Sequence, residues 1–511
     1  MFIDFEYGLA LLSGVLLVLS FPRFGHPAFA WAALVPLLMA LVGWHGRPAV
    51  LKSPSPLRAF LLGLTSGVVY FAGTLYWTGA VISTFGGVPA AVGVLAVVLL
   101  AFYQGFFPAL FALLAGRMIA RGGVRAVLLA PAAWVATEFF RAIVFGGFPW
   151  VPLGDSQVTV LPVAQVASVV GVFGLSGLVA LVNAGIAYAM LTTGRVRGAT
   201  IASMAVLLVA IAVWGTMRIA DGSLTRMGTP LKVGLIQANV PQEEKWKAGE
   251  ARSIFTTYLS MTRDAVKRGA QYVIWPESAT PFMFEQDPVG QTELRALARE
   301  QHVPILFGSD QEVANGTADP LLYNAAFLVA PTGQTAAVYR KIHLVPWGEF
   351  VPLKRFLFFI SPIVETFTDF SPGTSMVMLP VGSHLTSTAI CYEVVFPSLQ
   401  REAVLAGSEL LTTVTNDAWY GYSSAPYQHW ALASMRAIEE GRYLARAANT
   451  GISGVVDPYG RVVAQSGIFE QASMVEEVRF LTVRTIYSRI GDAVAYAAMA
   501  IVALALLVLR R

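Results

Sequence analysis

The chain has 511 residues, 56% of them hydrophobic and only 13% charged, about half the charged share of an ordinary soluble protein. A single soluble globule is excluded. Only 14 of the 66 Asp, Glu, Lys and Arg residues fall in the first 217 positions, so the chain has two compositional halves. The net charge of +4 comes from the apolar half, where basic residues lie between hydrophobic runs. That pattern reports membrane topology rather than nucleic-acid binding.

A bilayer core takes about 20 apolar residues per helix, and the first 217 residues supply seven candidate spans. They run from Tyr7 to Phe21, Ala28 to Trp44, Ala59 to Ile82, Val88 to Ala115, Ala126 to Ile143, Ala164 to Leu191 and Ala199 to Met217. An eighth, Ala493 to Leu509, closes the chain. The first reads as retained rather than as a secretory signal, because Asp4 and Glu6 replace a basic leader and Phe21-Pro22-Arg23-Phe24 replaces a small-residue cleavage site. With the N-terminus inside, the inner short loops and the C-terminus carry Arg47, Lys52, Arg58, Arg117, Arg121, Arg125, Arg195, Arg197, Arg510 and Arg511, against little beyond Arg23 outside. Arg218 to Asp492 is therefore expected outside the cytoplasm, between spans seven and eight. Glu138 and Arg141 in span five share a helix face and are expected to pair near its outer end.

From Leu231 the texture changes to short β-rich runs alternating with helical stretches, the pattern of an α/β or α+β layer fold. Strands are predicted at Lys232 to Ala238, Tyr272 to Trp275, Pro304 to Gly308, Tyr323 to Ala330, Thr335 to Tyr339, Leu385 to Ile390, Leu410 to Thr415 and Gly454 to Asp457. Helices are predicted at Arg252 to Arg268, Gly290 to Gln301, Pro397 to Ala406 and Gln428 to Gly441. The domains are expected at 1–217, 218–490 and 491–511.

One cysteine, Cys391, and six scattered histidines leave no intramolecular disulfide and no ligand spacing for a metal, and no cofactor is expected. Three polar residues are predicted at the ends of buried strands, where layered α/β folds present their chemistry. They are Glu277 in Val-Ile-Trp-Pro-Glu-Ser, Lys341 in Val-Tyr-Arg-Lys-Ile-His, and Cys391 in Thr-Ala-Ile-Cys-Tyr-Glu. Taken singly, a buried thiol, a strand-end carboxylate and a turn lysine are unremarkable. Together they fit one job. A thiol nucleophile needs a base to take its proton, and a fixed ammonium can stabilise the oxyanion formed at an attacked carbonyl.

The Trp-Pro-Glu, Tyr-Arg-Lys and Ile-Cys-Tyr-Glu blocks, with Thr-Asn-Asp-Ala-Trp-Tyr-Gly at 415–421, resemble the nitrilase and carbon-nitrogen hydrolase superfamily. The resemblance implies an αββα sandwich with a Glu-Lys-Cys triad: Glu277 as general base, Lys341 as oxyanion stabiliser and Cys391 as nucleophile. Glu349 matches the additional acidic residue of such triads, and Glu393 an essential acidic position two residues after the thiol. Joined to seven plus one membrane spans, the chain as a whole is similar to a bacterial family of membrane-embedded N-acyltransferases that act on lipoproteins. What that resemblance implies is a ping-pong reaction. Cys391 takes an acyl chain from a membrane phospholipid, phosphatidylethanolamine, and the α-amine of the S-diacylglyceryl cysteine of a lipoprotein then removes it. It also tilts Trp246 toward a lid, Trp419 and Tyr420 toward a lipid-contacting wall, and the backbone N–H of Tyr392 toward a second oxyanion donor. The apolar stretch from Arg355 to Val364, with Phe358 and Phe359, is expected to dip into the outer leaflet. The membrane half is expected to block the surfaces through which soluble relatives assemble, leaving a monomer of the inner membrane. Two other readings compete: a membrane-tethered amidase using the same triad, and a transporter with an external sensing domain, which the lack of repeated spans disfavours.

Overall fold

The computed structural model describes residues 4–44, 53–245, 247, 249–316, 320–350 and 369–509. Residues 1–221, 423–435 and 489–511 form one compact unit, and 222–422 with 436–488 form the other.

The first unit is helical. Every predicted span falls on apolar helix, and five helices among the described residues are long and apolar enough to cross a membrane. The second span departs from a plain helix. It is a 3₁₀ segment Pro27–Trp31 followed by the seven-residue helix Val35–Leu41. Fully buried Asn183 accepts from the Leu34 N–H at 2.8 Å and donates to the Ala30 carbonyl at 2.9 Å across the break. Irregular backbone in an apolar setting survives only with such internal partners. The third span likewise divides at Tyr76, into Pro56–Leu75 and Trp77–Phe85.

Helices Pro56–Leu75 and Ala90–Gly122 touch backbone to backbone because small residues line the contact. A Cβ on Gly63 would stand 2.4 Å from the Pro108 carbonyl, and one on Gly67 would stand 2.8 Å from the Gly105 Cα. Gly63→Leu is expected to force these helices apart and lower the thermal midpoint of the detergent-solubilised protein. Overpacking of this kind costs about 1–3 kcal/mol, and an unchanged midpoint would show that the helices do not depend on this contact.

Glu138 and Arg141 are both buried. Both hydrogen-bond to the segment 148–153, and Glu138 also accepts from Trp134 on its own helix. Glu138 Oε1 accepts from the Leu153 N–H at 2.7 Å and from Trp134 Nε1 at 3.2 Å, while Arg141 Nη1 donates to the Phe148 and Trp150 carbonyls at 2.8 Å each. The same unit takes in residues 423–435. The Gln428 amide explains how that segment is held. Its oxygen accepts from Trp150 Nε1 (2.8 Å) and Trp77 Nε1 (3.3 Å), and its nitrogen donates to the carbonyls of Thr74 (3.1 Å) and Pro22 (3.2 Å).

The second unit is built on two six-stranded sheets. In the first, the order is β12 (Ala472–Phe480), β1 (Thr229–Gln237), β2 (Tyr272–Ile274), β3 (Ile305–Val313), β4 (Leu321–Val329) and β5 (Thr335–Arg340). In the second it is β11 (Val462–Gln465), β10 (Gly454–Val456), β9 (Leu444–Ala448), β8 (Leu410–Thr415), β7 (His384–Ile390) and β6 (Leu379–Val381). The sheets face each other, β1 against β9 and β4 against β7.

Helices Ala251–Lys267 and Pro288–Gln301 pack their apolar stripes, Phe255, Tyr258, Leu294 and Leu297 among them, on Trp275 and Phe307. Pairs β1–β2, β2–β3, β7–β8 and β8–β9 are parallel, and parallel neighbours require crossover connections. All eight predicted strands and all four predicted helices are present. β6, β9, β11 and β12 were not predicted: β6 has three residues, β9 reads Leu-Ala-Arg-Ala-Ala with a buried arginine, β11 has four residues at a largely exposed edge, and β12 mixes charge with apolar residues at a half-exposed edge.

Candidate active site

Glu277 follows β2, and the backbone of β3 presses directly on it. Gly308 permits this approach, since a Cβ there would lie 2.6 Å from the Glu277 Cα and 2.4 Å from the Ser278 nitrogen. Both carboxylate oxygens are engaged. Oε1 accepts from Asn324 Nδ2 at 2.8 Å, and Oε2 accepts from the Asn416 backbone N–H at 2.8 Å.

Lys341 leaves the end of β5 and is 1% exposed. Its ammonium donates to Glu349 Oε1 at 2.8 Å and stands 3.6 Å from Glu277 Oε1. Asn324 Nδ2 also reaches Glu349 Oε1 at 2.9 Å, so one amide ties the two carboxylates together. Burial works against a charge on Lys341, but the fields of Glu349 and Glu277 outweigh it and raise its pKa above the ordinary lysine value. The lysine is a permanent cation.

Cys391 follows β7 and opens a 3₁₀ turn, Cys391–Val395. Its φ is +52°, a conformation that costs a non-glycine residue about 1–3 kcal/mol and persists only where the surroundings impose it. Glu393 supplies that constraint. Its Oε2 accepts from the Ile390 N–H at 2.8 Å, and its Oε1 accepts from the Ile342 N–H (2.6 Å), the His343 N–H (3.1 Å) and the Tyr339 hydroxyl (2.8 Å). Glu393 therefore bolts the turn carrying Cys391 to the loop following Lys341. Burial pushes the Cys391 thiol up to about 12; the Glu277 charge adds to this, and Lys341 opposes it. At neutral pH the sulfur is a thiol, so attack requires a proton acceptor nearby.

The structure thus brings together the sequence-identified Glu277, Lys341, Cys391, Glu349 and Glu393. Tyr392 is buried in the turn after the thiol, edge-on to Phe396. Trp419 is 38% exposed. Tyr420 ends the 3₁₀ turn Asp417–Tyr420, and burial, then the negative fields of Cys391, Asp417 and Glu277, hold its hydroxyl above the ordinary tyrosine pKa. Trp246, Phe358, Phe359 and the stretch 355–364 lie outside the described residues.

Sequence reading missed Asn324, Tyr339 and the buried pair Arg446–Asp417, in which Nη2 and Oδ2 are 2.8 Å apart. It also missed Asn449, which donates to Asn416 Oδ1 at 3.1 Å and holds the Val240 backbone through both its amide atoms. Tyr339 carries a signal in hindsight, standing two residues before Lys341 as an inward residue of β5. An asparagine within an apolar strand such as β4 carries none until its neighbour strands are known.

The carbon-nitrogen hydrolase family model matches residues 232–487, the stretch that forms both sheets and carries the Glu277, Lys341 and Cys391 cluster. This part of the chain is a carbon-nitrogen hydrolase domain. A second model, for the apolipoprotein N-acyltransferase N-terminal domain, matches residues 13–185 in the helical half. Curated proteins named apolipoprotein N-acyltransferase align over nearly the whole length. That of Geobacter metallireducens is 38% identical over 97% of this chain and 93% of its own, and that of Methylococcus capsulatus 36% identical over 95% and 92%. That of Gloeobacter violaceus is 34% identical over 94% and 90%. Among solved structures, an amidase from Nesterenkonia is similar with a TM-score of 0.40 and 21% identity, over 53% of this chain and 97% of that one. The chain belongs to the apolipoprotein N-acyltransferase family.

Proposed function

We propose that this membrane protein transfers an acyl chain from a phospholipid, through a thioester on Cys391, to the α-amine of the diacylglyceryl cysteine of lipoproteins. The observation that carries the reading is a single cysteine, held at positive φ in one buried cluster with Lys341 and Glu277, in a chain whose other half is apolar helix.

In the first half-reaction Glu277 takes the thiol proton as sulfur attacks the ester carbonyl. Lys341 stabilises the oxyanion together with a backbone N–H, for which that of Tyr392 is the candidate. The ester C–O bond breaks, and the proton passes from Glu277 to the departing glycerol oxygen, releasing a lysophospholipid. In the second, a lipoprotein α-amine, with an ordinary pKa near 8, attacks the thioester; the C–S bond breaks and the amine's proton passes through Glu277 to the departing Cys391 sulfur, restoring the thiol. Glu349 holds Lys341 in place, and Glu393 acts through the backbone it binds. Neither needs to touch substrate. Trp246, Trp419, Phe358 and Phe359 are assigned to lipid contact.

Eight spans, both termini in the cytoplasm, and a periplasmic catalytic domain in the inner membrane of a bacterium follow from the basic residues of the short loops. Phosphatidylethanolamine is the proposed donor and a monomer the proposed working form. The test is the intact mass of the purified protein after incubation with phosphatidylethanolamine alone. One acyl-sized, hydroxylamine-labile adduct is expected, absent from Cys391→Ser and transferable to a diacylglyceryl peptide with a free α-amine. An unmodified protein, or an adduct that passes only to water, would overturn the proposal in favour of the amidase reading.

A further inference from the structure

The first sheet places one amide among the charges of the site. Asn324 lies on β4 opposite Asp310 of β3, its backbone carbonyl accepts from the Lys341 N–H at 2.9 Å, and it is 4% exposed. Its Nδ2 donates to Glu277 Oε1 at 2.8 Å and to Glu349 Oε1 at 2.9 Å. Two carboxylate acceptors fix which end of the amide is nitrogen, because an amide oxygen cannot donate to them. The other end is Oδ1, which is also buried and takes no hydrogen bond among the described residues. The carboxylate oxygens beside it each have a donor already: Glu277 Oε2 the Asn416 N–H, Glu349 Oε1 the Lys341 ammonium and Glu349 Oε2 the Val345 N–H. A buried acceptor without a donor is costly, and inside a cluster built for proton transfer it calls for a donor carried by substrate. We infer that Asn324 is a catalytic residue whose Oδ1 accepts an N–H of the α-amine that attacks the thioester.

The inference rests on the acyl-transfer reading and assigns Asn324 to its second half. An acyl donor brings only acceptors to the reacting carbon, an ester carbonyl and an alkoxy oxygen, so it cannot satisfy Oδ1. A neutral primary amine brings two N–H groups. As its nitrogen forms the C–N bond, one proton goes to Glu277 and on to the Cys391 sulfur as the C–S bond breaks. The other stays on nitrogen, donated to Asn324 Oδ1, and becomes the N–H of the product amide. Thioester and amine thus give amide and thiol, and Asn324 itself gains and loses nothing. Its anchored nitrogen makes the arrangement useful: one planar amide bonds Glu277 through Nδ2, so an amine held by Oδ1 stands beside the carboxylate that takes its other proton. Water also carries two hydrogens, so the selection made here is of primary over secondary amines.

The test is a cycle between enzyme and acceptor. The full-length protein in detergent is acylated with phosphatidylethanolamine, and single-turnover loss of the adduct is followed by intact mass on adding a diacylglyceryl peptide with either a free or an N-methylated α-amine. The methylated amine has one N–H, which goes to Glu277 and leaves Oδ1 without a donor. Wild type is expected to use the free amine at least about tenfold faster. Asn324→Ala is expected to be slower with both, since the carboxylates lose their shared donor, but with a preference about tenfold smaller than that of wild type; the bulk of the methyl group is common to both enzymes and cancels. Asn324→Asp, which keeps an oxygen at this place, is expected to retain the preference whatever its rate. Where the thermal midpoint shows that Asn324→Ala does not fold, the wild-type and Asn324→Asp preferences decide. A wild-type preference below about threefold, the same preference in Asn324→Ala, or its loss in Asn324→Asp overturns the inference. The phospholipid reading fails separately: if phosphatidylethanolamine gives no adduct, the same preferences are read on a thioester loaded from p-nitrophenyl octanoate, and only a protein acylated by neither donor sinks both.

Discussion

Lys341→Met is expected to abolish acyl-enzyme formation, lowering its rate by at least about 10³-fold, the scale on which loss of an oxyanion stabiliser is felt. Two effects combine. The ammonium acts on Cys391 as a positive field, and it also separates Glu277 from Glu349, which meet it at 3.6 Å and 2.8 Å. Without it, the like charges of Glu277 and Glu349 repel each other with no cation between them, and Glu277 loses the partner that positions it. Lys341→Arg is expected to rescue little, because a planar guanidinium cannot take the place of a compact ammonium in this enclosed site. The measurement is single-turnover appearance of the adduct by mass, beside a thermal midpoint that identifies any loss of fold. Acylation by Lys341→Met within tenfold of wild type would remove the lysine from the mechanism.

Asp417→Ala is expected to be the most destabilising single change in the sheet domain. Arg446 and Asp417 are each fully buried, and Arg446 also donates from Nε to the Ile452 carbonyl at 3.1 Å. Removing one partner of a buried pair strands the other charge and costs about 3–5 kcal/mol, whereas replacing both with apolar residues of similar size is far milder. The double variant Asp417→Leu with Arg446→Met should therefore recover much of the midpoint lost by Asp417→Ala. It should not recover activity, because the turn carrying Asn416 and Tyr420 loses the Thr415–Asp417 hydrogen bond. A midpoint for Asp417→Ala within a degree or two of wild type would show that the pair does not support the fold.

The site divides cleanly between what a linear reading sees and what it misses. Glu277, Lys341 and Cys391 were legible because each stands where an apolar run stops, and a strand end is visible in one dimension. The strands that were missed are short or polar at an edge, where the alternation that identifies a strand is weakest. Glu393 was legible as a residue but not as a function. Its position two residues after the thiol does not reveal that its oxygens bind the backbone at 390, 342 and 343. Asn324 and Asn449 were invisible for the same reason: an amide acquires a role only from donors and acceptors on other strands. Gln428 was hidden further still, since its stretch of sequence lies among the sheet-domain elements while residues 423–435 group with the helices.

Composition and period alone determined that the chain has an apolar helical half and a layered half of strands and helices, and which three polar residues stand at strand ends. Those properties are local, because burial of a helix or a strand is written in the spacing of its own apolar residues. Tertiary structure decided the rest: that Lys341 lies between two carboxylates, that the turn of Cys391, at positive φ, is tied down by Glu393, and that the Asn416 backbone meets Glu277. Each depends on groups separated by tens of residues in the chain, and only the packing of the two sheets fixes the distances through which charges and hydrogen bonds act.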